Sequence, residues 1–252
     1  MPPTLAELAE DTAAYLLPRP GFDTIDRGGF VYEAGAVRGS VHRIRLGDVT
    51  DAVAWTRAES ARRGHRRIEW WVGWSATPAD LGPRLLELGL VPDDVPTLTG
   101  MTCSSEPPPA PGVDVRRIGT LEEQLAALEV DWEVWGIDED ERAERRELER
   151  RRFDDLERSG VVHHFAASLD GRTVGFGRAI DMAAGVALMG GTVLPAARGR
   201  GVYRALVRAR WDHAVARGTP LLVVQAGELS APVLDGLGFR RHGTIDLFVD
   251  RR

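Results

Sequence analysis

The segment from Gly191 to Val207, Gly-Thr-Val-Leu-Pro-Ala-Ala-Arg-Gly-Arg-Gly-Val-Tyr-Arg-Ala-Leu-Val, restricts the fold of this chain more than any other. Its apolar start reads as the end of a strand that Pro195 stops, because proline has no N–H for a ladder. From Val202 the apolar residues Val202, Leu206, Val207, Trp211, Ala214 and Val215 recur at helical spacing. A strand, a glycine loop and a helix in direct succession expose backbone N–H groups at the positive end of a helix dipole. Glycines let an oxyanion approach without a Cβ in the way, so the loop suits a diphosphate. Arg198, Arg200 and Arg204 add charge nearby. Taken alone, Arg-Gly-Arg-Gly also fits an ordinary turn with surface arginines, and the surroundings must decide.

Those surroundings are regular. The run from Ser104 to Gly112, with Pro107, Pro108, Pro109 and Pro111, cannot supply ladder hydrogen bonds and reads as a semi-rigid linker. It separates expected units at 1–103 and 113–252, with 104–112 between them. After the linker, Thr120 and Glu123 form a capping-box pattern that opens a helix toward Trp132 and Trp135. A charged helix spans Asp138 to Arg158 and is closed by Gly160. Strands over Val161–Ser168, Thr173–Ile180 and Val186–Leu194 are joined by turns at Asp170-Gly171 and Ala183-Ala184-Gly185. The helix from Val202 to Arg217, a strand at Leu221–Ala226, a short helix at Ser230–Leu237 and a strand at Ile245–Val249 complete the order.

This succession, with Arg198, Gly201 and Tyr203 at the places of the signature Arg or Gln, two residues, Gly, one residue, then Gly or Ala, resembles the GNAT (GCN5-related N-acetyltransferase) family. Tyr203 departs from the small residue usual at the last place. The resemblance implies an α/β (α+β) fold whose mixed, mostly antiparallel sheet is flanked by helices. It also implies acetyl-CoA as acyl donor and no metal. Gly199, Arg200, Gly201, Val202, Tyr203 and Arg204 would wrap the pyrophosphate, while Gly191, Thr192 and Val193 would pair with the pantetheine arm. A backbone N–H near Val193 would polarise the thioester carbonyl.

The same resemblance exposes a gap. Many members carry a Glu base on the fourth or fifth strand and a Tyr acid five residues before the Gly-Phe phenylalanine. Val186–Leu194 and Leu221–Ala226 hold no carboxylate, and Leu234 stands at the Tyr place. Tyr203 is open to two roles, proton donor or packing at the helix start. Asp181, Glu228 and Asp235 are bases by location or solvated carboxylates. His163 and His164 sit on one strand, where alternation sends one inward and one outward. The acceptor side would be bordered by Trp132, Trp135, Asp138 and Glu139. Acids beside aromatics suit a cationic amine, and acids at a helix start also suit its dipole.

The N-terminal half repeats the layout. Pro83-Arg84-Leu85-Leu86-Glu87-Leu88-Gly89-Leu90 echoes Pro232-Val233-Leu234-Asp235-Gly236-Leu237-Gly238-Phe239 at a constant offset of 149 (232 − 83 and 238 − 89). An internal duplication follows, with tandem GNAT-like domains. Before the helix of the first copy, Val41 to Asp48 offer no closely spaced glycines, so this copy is a degenerate domain not expected to bind CoA. Trp70, Trp71 and Trp74 read as strand and core residues, with a substrate-shaping role open to one of them.

A net charge of −6 argues against nucleic acid as a partner. No run approaches the ~18 apolar residues of a membrane span, and the single Cys103 fits a reducing cytoplasm. The sequence thus points to transfer of an acetyl group to a primary amine on a small molecule. A non-catalytic acyl-CoA-binding protein and a protein N-acetyltransferase are the alternatives, and homodimerisation is left open.

Overall fold

The computed structural model describes residues 2–251. Its strands and helices fall into two compact units that do not follow chain order. One unit holds the chain up to Thr102 together with Val224–Pro232 and the strand from Arg240 onward; the other holds Cys103–Val223 and Val233–Phe239. The span 113–252, expected from the sequence to form one domain, is therefore divided.

In the first unit, α1 (Leu5–Glu10) precedes β1 (Asp23–Asp26), β2 (Val31–Ala34) and β3 (Gly39–His42). Then come α2 (Val49–Arg63), β4 (Arg67–Val72), α3 (Leu81–Glu87) and β5 (Val91–Cys103). The sheet runs β1-β2-β3-β4-β11-β5, where β11 (Arg240–Arg251) is the strand that follows all others in sequence. It pairs antiparallel with β4 from Asp246↔Val72 to Arg251↔Arg67 and with β5 from Arg240↔Thr102 to Val249↔Val91. Ile245, Leu247 and Val249 alternate inward and are buried, as a half-covered strand requires. Thr97 and Asp246, which are 149 residues apart, face each other across the β5–β11 ladder, and the Thr97 hydroxyl donates to Asp246 Oδ1 at 2.9 Å. The core gathers Tyr32, Val41, Ile44, Val53, Ile68, Trp70, Leu81 and Leu85. Trp70 is a core residue, as its place on the strand suggested.

The second unit opens with β6 (Asp114–Arg117), α4 (Leu121–Val134) and α5 (Glu139–Ser159). Strands β7 (Val162–Leu169), β8 (Arg172–Asp181) and β9 (Val186–Val193) follow, then α6 (Val202–Ala216), β10 (Leu222–Ala226) and α7 (Ala231–Asp235). The first two residues of β10 and Val233–Asp235 of α7 belong to this unit, and the strand order is β10-β9-β8-β7-β6. β6 through β9 are antiparallel, while β10 joins β9 in parallel. Thr120 caps α4 by accepting from the Glu123 N–H at 3.3 Å, and Glu123 reaches back to the N–H of Gly119 at 3.1 Å. Gly160 closes α5 with a left-handed φ of 62°. Helix α6 lies close against one face because β8 presents glycines to it. A Cβ on Gly175 would stand 2.7 Å from Val202 Cγ1, and one on Gly177 would stand 3.2 Å from the Arg210 guanidinium carbon.

The duplication is visible in backbone detail. Gly89 and Gly238 take φ of 87° and 88°. The turn after α3 closes with Leu90 N–H on Leu85 C=O at 3.0 Å, and the turn after α7 with Phe239 N–H on Leu234 C=O at 3.1 Å. The helices α2 and α6 differ at their starts. Asp48 caps α2 by accepting from the Asp51 N–H at 3.0 Å, which places a carboxylate where a phosphate would have to come. Gly201 stands at the same point of α6 and gives no side-chain cap.

Candidate cofactor and acyl-transfer site

The loop after β9 is built to leave donors exposed. Pro195–Ala197 form one 3-10 turn, and Gly199 and Gly201 take φ of 76° and 82°, which only glycine adopts without strain. A Cβ at either place would meet nothing within 4 Å, so the loop has open space above its backbone. The N–H groups of Val202, Tyr203 and Arg204 begin α6 and, with no side-chain cap on the helix, face that space. Arg198, Arg200 and Arg204 are exposed around it, and Arg200 makes only a loose 3.4 Å contact to Asp170. The residues present fit a diphosphate.

The strand leading into the loop has an open edge within this unit. β9 pairs with β10 at Leu222↔Val186 and Val223↔Ala187; from Leu188 onward its side away from β8 carries no ladder among the described residues. Which residues aim at that edge follows from the register with β8. Leu194 N–H bonds Val174 C=O at 2.9 Å, so 174 and 194 are a hydrogen-bonded pair. Bonded and non-bonded pairs alternate in an antiparallel ladder. Val193 opposite Gly175 and Gly191 opposite Gly177 are thus non-bonded pairs, and their N–H and C=O groups point to the open edge. Thr192, opposite Phe176, spends its backbone groups on β8, and its buried hydroxyl has no partner. Between these pairs β9 bulges, with the register slipping from Gly177↔Gly191 to Ala179↔Leu188 and Gly190 at φ 79°.

Residues 125–239 match the model of the acetyltransferase (GNAT) family. This stretch is a GNAT-family domain. Solved structures agree in fold. The chain is similar to a GCN5-related N-acetyltransferase from Kribbella flavida (16% identity, 98% of this chain and 95% of that one covered, TM-score 0.65). It is also similar to a tandem GNAT protein from the clavulanic acid biosynthesis pathway (15%, 99% and 88%, TM-score 0.59). A third likeness is to a GCN5-related N-acetyltransferase from Sphaerobacter thermophilus (19%, 90% and 82%, TM-score 0.59). A comparison with curated proteins gave no match.

Within the GNAT domain, the residues expected near the acceptor separate. Trp132 is 2% exposed in a cluster with Ile118, Leu128, Ala166 and Phe176, so its side chain is core rather than lining. Asp138 caps α5 by accepting from the Glu141 N–H at 2.9 Å. Glu139 pairs with Arg146 at 2.7 Å, and that hydrogen bond and charge lower its pKa. Trp135, at the end of α4, is 63% exposed.

The candidate proton carriers are also placed. Tyr203 lays its ring against Gly191, with Cε2 3.0 Å from where a Cβ would stand. Glu228 and Asp235 are exposed. Asp181 is not a solvated carboxylate. It is buried and accepts from His163 Nε2 at 3.1 Å, His213 Nε2 at 2.9 Å and Arg217 Nε at 3.0 Å. Burial pushes its pKa up, but the histidine bonds and charges outweigh this and hold it at about 2. It lies opposite Val186, and the seven residues from there to Val193 span about 23 Å of strand, too far for a base at the open edge. Both His163 and His164 are buried, because helices cover both faces of β7. His164 accepts from Arg178 Nε at 3.1 Å; burial first, then Arg178, drives its pKa well down, so it is neutral.

One functional candidate escaped the sequence reading. Arg210 on α6 is 1% exposed and reaches under the bulge of β9. It sits in an otherwise apolar stripe, which is the only sign the sequence offers.

Proposed function

We propose that the GNAT domain transfers an acetyl group from acetyl-CoA to a primary amine of a small molecule by direct attack. The observation that carries the reading is the uncapped start of α6 behind Gly199 and Gly201, continuous with the open edge of β9 that Gly191 and Val193 address. The loop N–H groups and the exposed arginines would hold the pyrophosphate of CoA, and the edge of β9 would align the pantetheine arm. With the thioester carbonyl on a β9 N–H, the amine nitrogen bonds to carbon and the carbon–sulfur bond breaks. A cationic amine first gives one proton to water to free its lone pair, and the second nitrogen proton, lost as the amide forms, ends on the departing sulfur. The donor is one of the two N–H groups that β9 turns to this edge, that of Val193 or that of Gly191, and Tyr203, whose ring lies against Gly191, is the side chain placed to serve the sulfur. Trp135 and Glu139 border the approach of a cationic amine. The first unit, whose α2 is capped by Asp48, takes no part in CoA binding.

Thermal unfolding with acetyl-CoA tests the reading. At a hundred times the dissociation constant the ligand adds about 2.7 kcal/mol, or roughly 5 to 11 °C for a chain of this size. A Gly201→Asp variant, with a carboxylate at the helix start, is expected to lose the shift, whereas Gly201→Ala, which bears the same left-handed strain, keeps most of it. Absence of a shift in the unaltered protein overturns the proposal. Amine screening with detection of free CoA thiol then decides turnover. The lack of a carboxylate in Val186–Val193 and Leu222–Ala226, and the burial of Leu234 at the usual acid position, favour a second reading, an acyl-CoA-binding protein without turnover. That reading predicts the thermal shift with no thiol released by any amine.

A further inference from the structure

At the bulge in β9 one side chain reaches two carbonyls, that of Arg178 on β8 and that of Gly190 on β9. Arg210 Nη1 donates to Gly190 C=O at 3.1 Å and to Arg178 C=O at 3.3 Å, and Nε donates to Leu206 C=O at 2.9 Å. Nη2 is buried with no partner and lies 3.5 Å from where a Cβ on Gly191 would stand. No carboxylate pairs with this guanidinium among the described residues, although burying an uncompensated cation is among the costliest arrangements in a protein. Burial lowers its pKa only to about 10, so the charge persists at neutral pH. Gly177 keeps the space it needs, since a Cβ there would stand 3.2 Å from the guanidinium carbon.

The geometry gives this charge a direction. In a trans peptide the N–H points opposite to the C=O. With Gly190 C=O held on Arg210, the N–H of the same peptide, that of Gly191, is turned away from the guanidinium. The ladder register independently aims it at the open edge of β9. A charged hydrogen bond to a carbonyl polarises the whole peptide and makes its N–H a stronger donor.

We infer that Arg210 is a positioning residue for acyl transfer: from beneath the sheet it fixes the β9 bulge and polarises the Gly190–Gly191 peptide, whose N–H meets the thioester carbonyl as charge grows on its oxygen. This rests on the acyl-transfer reading above. It explains how a site without the usual carboxylate and tyrosine would gain transition-state stabilisation. It also explains why a core position keeps a lone cation where leucine or methionine would pack at less cost.

The experiment compares the unaltered protein with R210M and R210K. It measures acetyl-CoA affinity, kcat and KM, and the infrared carbonyl stretch of bound acetyl-CoA labelled with 13C at the thioester carbon. In the unaltered protein the stretch moves to lower wavenumber on binding. In R210M it returns toward the solution value and kcat falls roughly 10- to 100-fold, less than the 100- to 1000-fold cost of deleting an oxyanion donor outright, with Kd changed less than about threefold. R210K falls between. A structural role alone would alter Kd and thermal stability without moving the carbonyl band, so an unshifted band in a folded R210M overturns the inference. If R210M does not fold, R210K decides by the same band. Failure of the unaltered protein to bind acetyl-CoA removes the acyl-transfer reading and this inference together, whereas binding with a band insensitive to Arg210 removes only the inference.

Discussion

Replacing Asp181 by Asn isolates the electrostatics of the buried cluster in the GNAT domain. The carboxylate receives three donors, His163, His213 and Arg217, at 2.9 to 3.1 Å and is 4% exposed. Asparagine keeps the shape but sets an NH2 group against donors and leaves Arg217 without its counter-charge. Breaking a fully buried pair costs about 3 to 5 kcal/mol, and because Arg217 is one-quarter exposed the lower figure applies, about 3 kcal/mol. For a chain of this size that is roughly 6 to 12 °C in Tm. A pH arm separates charge from packing. The folded pKa, about 2, is depressed below the ordinary 3.8, so the contribution is present above pH 4 and is lost as pH falls toward 2. The shift corresponds to about 2 kcal/mol, of which about half is gone by pH 3. Urea unfolding followed by tryptophan fluorescence should therefore show the D181N deficit shrinking between pH 7 and pH 3. A deficit below about 1 kcal/mol at pH 7, or one that does not change with pH, refutes the account of Asp181 as a charge held by its three donors.

Two further outcomes follow from packing. Gly175→Val forces a side chain into Val202 and should lower the urea midpoint by the equivalent of about 1 to 3 kcal/mol through displacement of α6 from β8; an unchanged midpoint means the helix does not sit where described. Trp132→Ala should cost about 3 to 5 kcal/mol as a core truncation, whereas Trp135→Ala, at an exposed site, should leave stability within about 0.5 kcal/mol, so that any rise in the KM for an amine reports on the acceptor.

The local elements were legible because each is punctuated by residues with one structural use. Thr120 and Glu123 start α4, Gly160 ends α5, and Asp170 and Gly171, with φ of 51° and 77°, make the hairpin between β7 and β8. The phosphate loop was legible for the same reason, since Gly199 and Gly201 hold conformations that other residues resist. What stayed hidden depends on partners distant in sequence. Nothing in Arg240–Arg251 says that it pairs with β4 and β5, because any edge of the right register would satisfy its alternation. Arg210 drew no notice in the sequence, since its burial depends on a bulge in another element. Trp132 looked available beside acids because a helix sequence does not reveal which face β8 will cover.

The position of β11 has a consequence for biosynthesis. The slot between β4 and β5 is filled by a strand that the ribosome makes only after the intervening residues 104–239. At about 5 to 20 residues per second, the first unit waits roughly 7 to 27 s with two strand edges unpaired. Such edges are templates for pairing with another chain. β4, with Ile68, Trp70 and Trp71, is the most apolar of them, and on a polysome it would stand beside copies in the same incomplete state. A nascent chain of this protein therefore has reason to be chaperoned until residues 240–251 emerge, even though in the folded molecule that strand is paired with β4 on one edge and β5 on the other.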